Sequence, residues 1–80
     1  MIMLYFIQYF VVDLTLENKI KSLGKNMQIE KGWIVQSTLN ATAIHSLLTE
    51  HNPSITIVIL GLDKNNYYGR YTKELWTLFK

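Results

Sequence analysis

Two segments of the chain are apolar at both odd and even positions. Between Met3 and Asp13 one parity carries Met3, Tyr5, Ile7, Tyr9 and Val11, and the other Leu4, Phe6, Phe10 and Val12. Ile55-Thr56-Ile57-Val58-Ile59-Leu60 repeats the pattern near the other end. A strand in this register is covered on both faces, whereas a half-exposed strand alternates apolar with polar residues. These segments therefore belong in the middle of a layered structure, and the intervening sequence must supply the layers.

The intervening sequence reads as helices and further strands. After Asp13-Leu14-Thr15, with Thr15 as the expected N-cap, Leu16, Ile20, Leu23 and Met27 recur at helical spacing, and Gly24 suits the residue just past the helix end. Lys19, Lys21 and Lys25 lie off that stripe and read as a solvated face. Gln28 to Ser37 returns to strand character, with Glu30-Lys31-Gly32 either the turn of a hairpin or a kink in one strand. A second helix is expected to start at Thr38-Leu39-Asn40, to carry Ile44, Leu47, Leu48 and His51 on its apolar stripe, and to stop at Asn52-Pro53. Ser54 to Leu62 is the last strand, closed by Gly61, and the polar loop from Asp63 to Arg70 follows. Tyr71, Leu75, Leu78 and Phe79 then fit a helical stripe, although Leu75, Thr77 and Phe79 also alternate as a strand does.

The predicted order is thus strand, helix, strand pair, helix, strand and a C-terminal helix or strand. This is an α+β, ferredoxin-like (split βαβ) antiparallel sheet with two helices on one face. Right-handed crossovers place the first strand centrally. If both helices cover one face, the second apolar set of the two long strands is left toward water, and a patch of that size is rarely left open. Either the C-terminal segment or a second copy of the chain is expected to cover it.

Composition narrows the class further. With 80 residues, the chain reads as one domain spanning 1–80, since a second core needs roughly 50 more. A hydrophobic content of 49% argues against disorder. The absence of cysteine removes disulfide scaffolds, thiolate zinc sites and cysteine nucleophiles. Eight basic against six acidic residues leave a net charge of +2, too small and too scattered to argue for nucleic acid by itself. The apolar opening lacks a basic n-region and is shorter than the roughly 20 residues that span a bilayer, so a cytoplasmic location away from the membrane is expected.

Few residues carry recognisable chemistry. The sequence has no glycine-rich phosphate loop, no histidine pair at metal spacing and no Gly-x-Ser-x-Gly elbow. His45 and His51, six apart on one predicted helix, lie about 120° out of registry. His51 reads as a capping or interface group and His45 as surface. Asp13 is the acid in an informative place, at the end of a strand and just before a helix, where α/β folds tend to put ligand groups. Its default role is a helix cap; its chemical role would be as a Mg²⁺ ligand contributed by each of two copies. Near the end of the chain, Tyr67, Tyr68, Arg70 and Trp76 lie close to Lys64 and Lys73. Aromatic and basic residues so interleaved suit a protein interface or, as the alternative, stacking and phosphate contacts with nucleic acid.

The pieces Val12-Asp13-Leu14, Trp33-Ile34-Val35-Gln36-Ser37, Ala41 to Leu48 and Ile55 to Leu60, in this order, resemble the SinR-like group. That group is related to the small ferredoxin-like subunit of CRISPR adaptation machinery. The resemblance implies a symmetric homodimer in which the strand-end aspartate, here Asp13, takes part in Mg²⁺-dependent cleavage of nucleic acid. It also implies structural members that do not catalyse. The apolar second sheet face and the aromatic tail make the leading expectation a small non-catalytic binding or scaffold protein that works through a dimeric or heteromeric protein interface without a cofactor, with a tie to nucleic-acid defence or mobile elements. The alternative is a Mg²⁺-dependent nuclease that uses Asp13 from two copies.

Overall fold

A computed structural model describes residues 2–29 and 32–62. The elements in order are β1 (Met3–Tyr9), α1 (Leu14–Ser22), β2 (Asn26–Ile29), β3 (Gly32–Ser37), α2 (Ala41–Thr49) and β4 (Ile57–Leu62). The sheet order is β2-β3-β1-β4 with every neighbouring pair antiparallel. This is the ferredoxin-like arrangement expected from the sequence, with β1 central. Ile29 pairs with Gly32, so the segment after Gln28 is a hairpin and not one kinked strand.

Register places the core. Across β1, Ile7 lies opposite Trp33 and Ile59, and Tyr5 lies opposite Val35 and Gly61, so these side chains share one face. Both helices lay their buried residues on that face: Leu16 and Ile20 from α1, Ile44 and Leu48 from α2. The Tyr5 hydroxyl, at the bottom of this core, donates to the carbonyl of Leu39 at 2.7 Å, so its burial leaves no polar group unmatched. Trp33 is buried, and its indole N–H donates to the Tyr9 hydroxyl at 3.1 Å.

The opposite face is partly covered. Leu4 and Ile34 are buried there, with Phe6, Met27, Ile29 and Leu62 packed around them. Exposure on this face is concentrated on β4, where Val58 and Leu60 are 41% and 52% exposed. Met27 contributes to this cluster from β2 and is not the last turn of α1, because the chain leaves the helix at Leu23 and turns through Gly24.

Three boundaries also differ. The first strand ends at Tyr9, since β3 pairing with β1 stops at Ile7 and β4 pairing stops at Tyr9; Phe10, Val11 and Val12 have the composition of a strand but no partner strand. The second helix ends at Thr49, so His51 stands beyond it and not on its stripe. The last strand starts at Ile57 and includes Gly61 in its interior.

Candidate functional site

The junction between β1 and α1 is built around Asp13. Its backbone is extended (φ −148°, ψ 102°), and its Oδ1 accepts the Leu16 N–H at 3.0 Å, which makes it the N-cap of α1 in place of Thr15. The carboxylate also faces the positive end of the helix dipole. Its second oxygen, Oδ2, lies 2.8 Å from His51 Nε2, across 38 residues of sequence. The two meet because the helices of a split βαβ unit run in opposite directions, so the start of α1 and the end of α2 share one end of the molecule.

Lys19 completes the cluster. Its ammonium donates to the Leu47 carbonyl at 3.1 Å and to Glu50 Oε1 at 2.9 Å, and lies 3.4 Å from His51 Nδ1. The residue read as part of a solvated face is therefore a bridge between helices, with a side chain only 20% exposed. Lys21, by contrast, keeps to the surface side and lies 6.0 Å from the Trp33 ring centroid.

Electrostatics follow the geometry. The hydrogen bond from His51, then that from the Leu16 N–H, hold the Asp13 carboxyl below the usual carboxylate range. Burial raises Tyr9, against the hydrogen bond from Trp33, so its hydroxyl stays neutral. Because Asp13 binds its proton less readily folded than unfolded, the stabilisation it provides is fully present above about pH 4. It is lost as pH falls through the depressed folded value. Urea unfolding of wild type and Asp13→Asn across this range is expected to show a stability gap near neutrality that closes on acidification. A gap that widened toward low pH would contradict the assignment.

Around the carboxylate lies an apolar rim. Phe10, Val11, Val12 and Leu14 are 65%, 51%, 93% and 73% exposed, the densest run of exposed large apolar side chains among the described residues. Sequence reading missed it, since β-prone residues next to a strand read as more strand. A separate cavity of about 270 Å³ opens beside Leu23, Gly24, Lys25, Gln36 and Thr38, and shares no residue with the Asp13 cluster.

The geometry does not suit a magnesium ion at Asp13 within one chain. Both carboxylate oxygens are engaged, Lys19 brings a positive charge to the next residue in the network, and among the described residues no group of three or more metal-ligating side chains converges. His45 is exposed, as expected. Lys64, Tyr67, Tyr68, Arg70, Lys73 and Trp76, the expected partner or nucleic-acid contacts, lie outside the described residues, as does the C-terminal helix or strand. Among the described residues no helix is long and apolar enough to cross a membrane. No protein-family model, curated protein or solved structure matches the chain.

Proposed function

We propose that this is a small non-catalytic binding protein that works by self-association, and that the loop between β1 and α1 is its contact surface. One observation carries the reading: four large apolar side chains, Phe10, Val11, Val12 and Leu14, stand exposed within five residues at one end of the fold. Exposed apolar residues scattered singly need no explanation, but a contiguous group marks an interaction site. The polar groups beside it favour contact over chemistry. His51 is hydrogen-bonded through Nε2 and faces an ammonium through Nδ1, so it has no free nitrogen with which to act as a general base. The nuclease alternative needs Asp13 to give up both its cap and its histidine, and the geometry lends it no support.

Sedimentation equilibrium tests the proposal. Wild type is expected to form dimers at micromolar concentration, and the triple variant Phe10→Ser, Val12→Ser, Leu14→Ser is expected to weaken the dimer at least tenfold while keeping the wild-type circular dichroism. A wild type that stays monomeric over the whole range, or a variant that dimerises undiminished, overturns it.

A further inference from the structure

The apolar loop belongs to neither a strand pair nor a helix: β1 ends at Tyr9 and α1 begins at Leu14. Its first fixed point after the sheet is Asp13, the residue directly following Val12. We propose that Asp13, His51 and Lys19 form a latch that holds this loop in its presented position by tying the start of α1 to the chain just past α2. The inference deepens the contact-surface reading and rests on it for its functional meaning.

The donors and acceptors fit in one order. A carboxylate only accepts and an ammonium only donates. An imidazole between them satisfies both neighbours when Nε2 carries the hydrogen, donated to Asp13 Oδ2, and Nδ1 presents its lone pair to Lys19. The distances of 2.8 Å and 3.4 Å make the Asp13 side the tighter leg. Lys19 is in turn fixed by the Leu47 carbonyl and by Glu50, so the histidine is braced against α2 as well as α1. Asp13 divides its two oxygens between the local cap and the long-range bond. The cap alone would keep α1 intact; the bond to His51 adds the constraint on where the preceding loop lies.

Nuclear magnetic resonance of the full-length chain separates these functions. In wild type, His51 is expected to show a slowly exchanging Nε2–H proton that exposed His45 lacks, and the backbone order parameters of Phe10, Val11 and Val12 are expected near those of rigid backbone, about 0.85. In His51→Ala and in Asp13→Asn, where asparagine still caps the helix, those values should fall below about 0.6 while the α1 amides stay protected. His51→Gln keeps a donor toward Asp13 and should restore the loop. Order parameters unchanged in His51→Ala and Asp13→Asn, or a loop already disordered in wild type, overturn the latch. Repeated in the Phe10→Ser, Val12→Ser, Leu14→Ser background, where association is weakened, the order of positions 10–12 reports the latch alone, so the latch and the contact surface can fail independently.

Discussion

Replacing Ile20 by alanine is expected to lower the unfolding free energy by about 2–5 kcal/mol, the range for truncating a buried branched aliphatic. Ile20 is fully buried on α1, in the cluster where Tyr5, Ile7, Leu16, Trp33, Val35, Ile44 and Leu48 meet. Deleting its outer carbons leaves a void that the sheet below and α2 beside it close only in part. In a chain this small the loss is a large share of total stability, and the melting temperature should fall by at least about 8 °C. Val12→Ala makes the useful contrast. Val12 is also an aliphatic residue, but it is 93% exposed, so its truncation should leave stability within about 0.5 kcal/mol. Thermal melts of the two variants, run below the concentration at which the chain associates, check this directly; a strongly destabilised Val12→Ala there would mean that the loop packs against its own fold and not against a partner.

Gly24→Ala is the second large effect, expected at about 2–4 kcal/mol. Gly24 has φ +154°, a conformation L-residues rarely adopt, and a Cβ there would lie 2.3 Å from the carbonyl oxygen of Gln36. That oxygen is part of the backbone at the end of β3 and cannot retreat freely, because the Gln36 N–H is held by the Lys25 carbonyl at 2.7 Å. The helix end depends on the same turn: Asn26 Nδ2 donates to the carbonyls of Lys21 and Gly24. Gly61→Ala is the control. The nearest atom to its Cβ would be a Tyr5 ring carbon at 3.9 Å, ordinary contact distance, so the change should stay within about 1 kcal/mol. Urea denaturation of both variants measures the difference, and equal losses would contradict the account of the α1–β2 turn.

The α+β order and the central position of β1 were legible because periodicity reports which faces are covered, and two strands apolar on both parities leave few arrangements open. What periodicity does not report is pairing. Phe10-Val11-Val12 reads as strand from side chains alone, yet β3 and β4 both stop short of it, and the same residues become the exposed rim. Gly24 was read correctly as the residue past α1, since its lack of a side chain is a local requirement. Met27, placed one turn too far on that helix, belongs to the strand beyond it. The Asp13–His51 contact was legible only in pieces. The aspartate was recognised as a cap and the histidine as a capping or interface group, but their meeting depends on the antiparallel helices of the fold and on α2 ending before His51. Lys19 gave no sign at all, because a lysine off an apolar stripe looks the same whether it faces water or a neighbouring helix end.

The central claim, that the run from Phe10 to Leu14, the loop and the first residue of α1, is where two copies meet, is tested most directly by isotope-filtered nuclear Overhauser spectra of a mixed sample of labelled and unlabelled chains. The account predicts intermolecular cross-peaks from the methyl groups of Val11, Val12 and Leu14 and from the Phe10 ring. Their absence in a sample shown to be dimeric, or cross-peaks confined to Val58 and Leu60 on β4, would contradict it.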